Sequence, residues 1–175
     1  DRAVLDALES TETAALDRDV WRITRTGRDP VRGSAALGRW SPGGAVEVLY
    51  TSLERGGALA EIGFRLTLEP VWPSRISHEL HQIAIVTERT LRFADLAALE
   101  AFGIDPARYA TFEYGACQEL AAAAHFMEFD GLLVPSARHN SSNLVIFMDR
   151  SSAASLVVKG SETVDWADWR NRNRR

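Results

Sequence analysis

Three charged side chains stand in surroundings where they could do chemistry. Arg22 lies among apolar and β-branched residues in the segment 20–24, and Arg39 follows a glycine in the Gly- and Pro-rich stretch 26–44. Arg39 can present a planar fork of N–H donors to a phosphate group. Glu61 interrupts an apolar segment, so its carboxylate points either to solvent or into a pocket. Taken alone, the position of Glu61 fits a solvent-facing side chain better than one in a pocket. For Arg22 and Arg39, an ordinary surface position and a binding site fit equally well.

Three polar side chains stand at the ends of predicted strands. Tyr50 lies near the end of the strand predicted over 46–51, and Ser136 follows the proline that breaks a buried strand. Asn143 begins the next apolar run. Loops at strand ends often carry functional groups on a rigid scaffold. Ser136 and Asn143 also fit a simple strand–turn–strand connection, so their types alone leave both interpretations open.

Short predicted strands outnumber the helices that interrupt them. The apolar patterns predict strands over 20–24, 46–51, 64–68, 81–86, 90–93, 132–134, 144–147 and 156–158. They predict helices over 3–16, 58–62, 96–102 and 116–129, the second of them capped from the pair Thr51-Ser52. Because the alternation is irregular, the pattern favours an α+β fold with a mostly antiparallel or mixed sheet.

The bulk composition is that of an ordinary soluble globular chain. Its 175 residues fit one domain, with 46% hydrophobic and 25% charged residues. The single cysteine, Cys117, excludes an internal disulfide and fits a reducing cytoplasm. The acidic N-terminal stretch lacks the apolar centre of a secretory peptide, and no apolar run has the roughly 20 residues needed to span a membrane. We therefore expect a cytoplasmic protein without membrane contact.

Several familiar binding motifs are missing from the sequence. There is no G-x-G-x-x-G loop, no Walker A loop and no C-x-x-C pair. His78 and His81 are three residues apart, one fewer than zinc chelation on a helix requires, so we expect a polar strand edge and no metal. The net charge of −4 argues against general nucleic-acid binding. The basic tail 170–175 fits a solvated chain end, with contact to an acidic partner as the alternative.

Taken in order, six segments resemble the RES domain family. They are Trp21-Arg22, Gly38-Arg39-Trp40, Tyr50-Thr51-Ser52, Ala58-Leu59-Ala60-Glu61, Val134-Pro135-Ser136-Ala137 and Asn143-Leu144. No single segment is specific, and their order and spacing carry the resemblance. The chain departs from the family pattern at Ser41, where Asn is usual, and at Gly115, where some members have a polar residue.

The resemblance implies a fold like that of ADP-ribosyltransferase domains. It divides the chain into an N-terminal helical extension at 1–18, a RES domain at 19–160 and a C-terminal segment with the basic tail at 161–175. It also implies a toxin of a bacterial toxin–antitoxin pair that consumes NAD⁺ as its substrate, without a prosthetic group. The expected partner is an Xre-type antitoxin. The expected assembly is a hetero-oligomer of toxin and antitoxin, or a homo-oligomer of this chain.

The resemblance also implies roles for the charged residues. Glu61 would stabilise the ribosyl cation that forms as nicotinamide leaves, and would accept a hydrogen bond from the ribose 2′-hydroxyl. Arg22 and Arg39 would bind the two phosphates of NAD⁺. The expected reaction is hydrolysis or phosphorolysis of the nicotinamide–ribose bond.

The remaining site residues are expected to orient the substrate. Tyr50 would stack on the nicotinamide ring, Ser136 would hydrogen-bond the ribose or the carboxamide, and Asn143 would belong to the same binding site. Two alternatives stay open: a mono-ADP-ribosyltransferase that modifies proteins with the same site, and a binding module that has lost its chemistry.

Overall fold

Five strands close into a barrel at the centre of the protein, whose computed structural model describes residues 2–152 and 155–173. The described chain contains six strands, of which the first five form the barrel: β1 (Thr13–Arg25), β2 (Val48–Ser52), β3 (His78–Arg92), β4 (Gly131–Pro135), β5 (Ser142–Phe147) and β6 (Leu156–Thr163). The helices are α1 (Arg2–Glu9), α2 (Arg55–Thr67), α3 (Ala97–Glu100), α4 (Gly115–Phe126) and α5 (Trp166–Arg172).

The barrel is a mixed sheet in which antiparallel pairing dominates. Its strands run in the order β1-β2-β5-β4-β3, and β3 returns to pair with β1. The pair β3–β4 is parallel, every other pair is antiparallel, and β6 adds to the outer side of β3. Closure leaves few free strand edges. The expected α+β class with a mixed sheet and flanking helices in one domain is therefore confirmed.

Strand β3 unites two strands that the sequence predicts separately. The predicted break between 81–86 and 90–93 is wrong, because β3 continues through it. At this point β3 leaves β6 and begins to pair with β4. The Asp130 carboxylate accepts hydrogen bonds from the backbone N–H groups of Glu88 and Arg89 and from the Thr90 hydroxyl. A side chain far along the sequence thus satisfies polar groups between the two predicted strands.

The N-terminal helix is shorter than the predicted helix over 3–16. Helix α1 ends at Glu9, where the hydroxyls of Ser10 and Thr11 both donate to the Ala7 carbonyl. Such side-chain bonds compete with helix continuation. Residues from Thr13 onward belong to β1, so only the first half of the segment 1–18 is helical.

Helix α2 contains both a predicted helix and a predicted strand. The strand predicted over 64–68 is wrong, because α2 continues to Thr67 with Leu66 buried on its inner face. The predicted cap is also wrong: Glu54 is the N-cap, and its side chain forms no capping bond. Ser52 instead accepts a hydrogen bond from the Glu54 backbone N–H.

Two buried clusters of side chains pack the helices against the barrel. One buried cluster joins α1 and α4 to the sheet, and a smaller one joins α2 and α5 to it. In the smaller cluster, Trp166 is buried and its indole N–H donates to His78. The Trp169 ring lies against Gly63 of α2, where a Cβ atom would collide with it. Helix α5 therefore packs closely on the helix that carries Glu61.

We expect Gly63→Ala to lower the free energy of unfolding by about 1–3 kcal/mol, because the added methyl group overpacks the contact with Trp169. In an open helix the same change would raise stability by about 1 kcal/mol. Urea denaturation measures the effect. Gly115→Ala at the start of α4, where nothing lies within 4 Å of the added atom, is the matched control. An unfolding free energy of Gly63→Ala equal to that of wild type would contradict the predicted overpacking.

The two histidines of β3 are interior residues, so the predicted polar strand edge is wrong. His81 is 3% exposed and bonds both Thr24 and Ser161. Burial lowers the pKa of His78 and of His81, which favours their neutral forms. In the described residues, no group of three His, Cys, Asp or Glu could hold a metal ion.

The C-terminal segment is described up to Asn173. It contains the end of β6 and all of α5, and Arg174 and Arg175 of the basic tail lie outside the described residues. Among the described helices, none combines the length and the apolar character that a membrane crossing requires.

Candidate active site

A cavity of about 320 Å³ opens at one end of the barrel. It lies where β2 and β4 end and β5 begins, because Ser52 and Val134 both pair with Asn143. Helix α2 covers one side, and the connections 34–40 and 109–114 form the others. Arg39 and Glu61 both line this one space. Of the six site residues expected from the sequence, all except Ser136 line it.

The Glu61 carboxylate is held by two donors from distant parts of the chain. Its Oε1 accepts hydrogen bonds from Ser136 Oγ at 2.7 Å and from Asn143 Nδ2 at 2.9 Å. Because a carboxylate only accepts, the amide nitrogen of Asn143 must face it. The other amide atom, Asn143 Oδ1, is buried without a hydrogen-bond partner among the described residues. An unpaired buried acceptor in a cavity wall is suited to a ligand that donates.

Ser136 has its hydrogen-bonding capacity filled by protein groups. Its hydroxyl donates to Glu61 and accepts from the backbone N–H groups of Arg138 and His139, at 3.1 and 3.2 Å. A hydroxyl has one donor and two lone pairs, so none remains for a ligand. Ser136 lies behind the carboxylate and orients it.

Arg39 is fixed by the connection that closes the cavity. Its guanidinium donates to the backbone carbonyls of Tyr109 and Thr111. It lies 4.7 Å from the ring centres of both Tyr109 and Tyr114. The group keeps further N–H donors for an anion while its position is set. Trp40, which follows it, is 2% exposed and anchors the turn.

Arg22, on β1, is another arginine of the cavity lining. It donates to the backbone carbonyls of Tyr50 and Arg32, and its buried Nε has no partner among the described residues. Burial lowers the pKa of Arg22, and the nearby Asp29 opposes this shift. A buried guanidinium with an unpaired donor can bind an anionic ligand without reorganisation.

Tyr50 is oriented by the Gly38-Arg39-Trp40 turn. Its hydroxyl accepts the Trp40 backbone N–H at 2.9 Å, and a Cβ atom at Gly38 would lie 2.7 Å from this oxygen. Glycine is therefore needed at 38 for the phenol to reach the turn. Burial raises the pKa of Tyr50 to about 12, so the phenol stays neutral near pH 7.

The sequence did not indicate several other residues of the cavity. Tyr109 and Tyr114 come from a region without any motif, and Arg65 and Arg138 are further cations of the wall. Tyr109 donates its hydroxyl to the Pro135 carbonyl at 2.7 Å, which ties this wall to the end of β4. Arg138 directly follows the V-P-S-A segment, which is the only signal that could have pointed to one of them.

Comparison with known families decides where this arrangement belongs. The family model of the RES domain matches residues 19–167, which is most of the chain. The chain belongs to the RES domain family. Its six motif segments all fall within this range, and all six contribute residues that line the cavity. Ser136, in the fifth segment, also holds Glu61.

Known proteins resemble this RES domain over nearly their whole length. The NAD(+) phosphorylases MbcT of Mycobacterium tuberculosis and Mycobacterium bovis are each 22% identical to it over 167 residues, covering 92% of this chain and 90% of theirs. A crystal structure of the M. tuberculosis MbcT–MbcA toxin–antitoxin complex contains a chain with a TM-score of 0.85 and 21% identity. That match covers 98% of this chain and 97% of the other, and it shows a shared fold.

Proposed function

We propose that this RES domain is the toxin of a bacterial toxin–antitoxin pair, and that it cleaves the nicotinamide–ribose bond of NAD⁺. The observation that carries the proposal is the Glu61 carboxylate, held by Ser136 and Asn143 in a cavity whose walls contain arginines. The likeness to MbcT, named an NAD(+) phosphorylase, supports the same chemistry.

Glu61 provides the negative charge that this bond cleavage needs. As nicotinamide departs with the bonding electrons, positive charge develops on the ribose, and a fixed carboxylate stabilises it. Both hydrogen bonds go to Oε1, so Oε2 is the oxygen offered to the ribose and its 2′-hydroxyl. Asn143 Oδ1 accepts a donor of the substrate, such as a ribose hydroxyl or the carboxamide N–H.

The arginines and the tyrosine bind the rest of the dinucleotide. Arg22 and Arg39, which both line the cavity, supply charge-assisted hydrogen bonds to the diphosphate. Tyr50 presents its neutral ring to the nicotinamide. Ser136 is a positioning residue for Glu61 in this scheme, in place of the direct substrate contact that the sequence suggested.

Incubation with labelled NAD⁺ tests the proposal and its rivals. We expect free nicotinamide together with ADP-ribose or its phosphate ester, and a fall in cellular NAD⁺ when the chain is expressed. Label on protein after addition of cell extract would support the ADP-ribosyltransferase instead. Tight NAD⁺ binding without turnover would support the non-enzymatic module.

We expect Ser136→Ala to lower kcat for NAD⁺ cleavage about tenfold with little change in KM. The reason is that the carboxylate loses one charge-assisted hydrogen bond while the cavity keeps its lining. Ser136→Thr retains the hydroxyl and should recover most of the rate. A kcat of Ser136→Ala equal to that of wild type would argue against the positioning role.

We expect Arg39→Ala to raise the KM for NAD⁺ by about tenfold or more, since the diphosphate loses a paired contact and the 109–111 connection loses its anchor. Initial rates over a range of NAD⁺ concentrations measure this. Arg75→Ala, at an exposed site outside the cavity, is the control. An unchanged KM in Arg39→Ala would refute the phosphate role.

The proposal extends to the partner and to the wider fold family. The likeness to a chain of the MbcT–MbcA toxin–antitoxin complex supports an antitoxin partner, and we propose an Xre-type antitoxin and a cytoplasmic location for the pair. We also propose that the barrel is related to ADP-ribosyltransferase domains, because both would set a carboxylate beside the nicotinamide ribose. Co-expression with a candidate antitoxin should restore growth to cells that carry the chain.

A further inference from the structure

Two apolar side chains of the cavity lining are open to solvent. Leu37 is 74% exposed and Phe112 is 61% exposed, and they belong to the connections 34–40 and 109–114. Because both residues line the cavity while most of their surface stays accessible, they mark its mouth. Single exposed apolar side chains are common and need no explanation. Two of them on the lining of one cavity offer an apolar surface to the ligand that the cavity holds.

The Phe112 ring is held in place by other aromatic rings. It stacks on Phe64 of α2, with ring centres 6.4 Å apart and ring planes inclined by 28°. The edge-on contact with Tyr114 has ring centres 6.3 Å apart. These neighbours orient the ring and still leave most of it exposed. A side chain that is already oriented loses little conformational entropy when a flat ligand binds to it.

Both apolar residues lie next to the contacts that fix Arg39. Leu37 precedes Arg39 by two residues, and its side chain rests against Gly43, where a Cβ atom would lie 2.9 Å from it. Phe112 directly follows Thr111, whose carbonyl accepts a hydrogen bond from the Arg39 guanidinium at 3.2 Å. In the proposed function Arg39 binds the diphosphate. The nucleoside beyond the diphosphate is therefore expected beside Leu37 and Phe112.

The enclosed space is small for a whole dinucleotide. Its volume of about 320 Å³ lies near the lower limit for pockets that enclose drug-sized molecules, which is about 300 Å³. NAD⁺ consists of two nucleosides joined by a diphosphate, and its nicotinamide ribose has to reach Glu61 inside the cavity. The adenosine half is thus left for the mouth, where apolar surface is exposed.

We propose that Leu37 and Phe112 form the binding site for the adenine base of NAD⁺. This inference rests on the proposed function of the same cavity. Adenine stacks on the exposed part of the Phe112 ring, and Leu37 adds an apolar contact from the other connection. Stacking of a base on an aromatic side chain contributes substantially to nucleotide binding.

The charges near Phe112 favour adenine over nicotinamide at this position. The Arg138 guanidinium lies 3.5 Å from the centre of the Phe64 ring, on which Phe112 stacks. The nicotinamide ring of NAD⁺ carries a positive charge, which a nearby guanidinium repels, whereas adenine is neutral. Nicotinamide is also bonded to the ribose carbon at which Glu61 is proposed to act, so it stays deeper in the cavity.

ADP-ribose is the probe that tests this assignment, because it contains adenosine and the diphosphate and lacks nicotinamide. Calorimetry measures its Kd, and initial rates of nicotinamide release give kcat and KM for NAD⁺. We expect Phe112→Ala to raise both the Kd for ADP-ribose and the KM for NAD⁺ about tenfold, with a change in kcat below threefold. Leu37→Ala should raise the same two constants about threefold, and Phe112→Trp should retain the wild-type affinity.

Phe126→Ala and Leu68→Ala are the matched controls. Both residues are exposed apolar side chains outside the cavity lining, so neither change should alter the Kd for ADP-ribose or the KM for NAD⁺. Thermal denaturation confirms that each variant is folded, as the exposure of the replaced side chains leads us to expect.

The outcomes separate this inference from the proposed function. A raised KM for NAD⁺ with an unchanged Kd for ADP-ribose in Phe112→Ala would place Phe112 on the nicotinamide half and overturn the assignment. It would also be overturned if ADP-ribose failed to bind wild type, or bound Phe112→Ala as tightly as wild type. Calorimetry needs no turnover. A wild-type protein that bound ADP-ribose through Phe112 and released no nicotinamide would therefore remove the proposed cleavage and leave the adenine site standing.

Discussion

Glu61→Gln reduces NAD⁺ cleavage by a factor of about 10²–10³ and leaves the fold unchanged. The loss is the one expected when a single electrostatic stabiliser of a transition state is removed. The fold survives because both hydrogen bonds to Glu61 end on the same oxygen. A glutamine can place its carbonyl oxygen at that position and keep both donors paired. The variant therefore removes charge with almost no change of shape.

Nicotinamide release measures the rate of Glu61→Gln, and thermal denaturation confirms that it is folded. Glu69→Gln is the matched control, because Glu69 follows α2, is exposed and lies outside the cavity lining. Expression in cells gives a second readout, in which the Glu61 variant should spare both NAD⁺ and growth. A folded Glu61→Gln protein that consumed NAD⁺ at the wild-type rate would remove the carboxylate from the mechanism.

Trp40→Ala lowers the free energy of unfolding by about 3–5 kcal/mol, the usual cost of emptying a buried tryptophan site. Trp40 is 2% exposed and packs in the main core cluster, with its ring 6.5 Å from that of Tyr109. The change also loosens the turn that carries Arg39. We therefore expect weaker NAD⁺ binding in whatever fraction remains folded.

Urea denaturation of Trp40→Ala and Trp40→Phe shows how much of the stability lost at Trp40 comes from lost volume and how much from the lost aromatic ring. The phenylalanine variant keeps most of the packing and should lose less than about 2 kcal/mol. If Trp40→Ala unfolded at the same urea concentration as wild type, the indole could not be a structural anchor of the cavity.

The sequence was sufficient to select candidate residues for the site. It was insufficient to predict the directions in which their side chains point. Because charged side chains are rarely buried, a solvent-facing Glu61 was the better local interpretation, yet the carboxylate lines the cavity. What directs it is a pair of hydrogen bonds from Ser136 and Asn143, which lie 75 and 82 residues away in the chain. Local patterns contain no information about such contacts.

The errors in secondary structure have the same origin. The aromatic and branched residues of 64–68 fit a strand, but the contact between Gly63 and Trp169 and the burial of Leu66 keep α2 helical. The sequence predicted two strands on either side of 87–89, yet Asp130 binds the backbone there and β3 continues. Tertiary contacts overrode local preference in both places.

The region between α2 and α4 shows most clearly how far prediction from the sequence could go. It has no recognisable motif, yet it supplies Tyr109 and Tyr114, between which the Arg39 guanidinium lies. Arg39 is joined to this region by hydrogen bonds to backbone carbonyls, which every residue type possesses. A contact to a carbonyl leaves no trace in residue identity, so this wall could not be anticipated.

The long separation between Glu61 and its two supporting donors has a consequence for synthesis on the ribosome. A growing chain that has emerged only as far as α4 contains every arginine of the site except Arg138, but neither hydrogen-bond donor to Glu61. Strands β4 and β5, which close the barrel, are also still missing. If the chain is the proposed toxin, the nascent polypeptide should therefore lack NAD⁺-cleaving activity until β5 has been translated, which gives the proposed antitoxin time to accumulate.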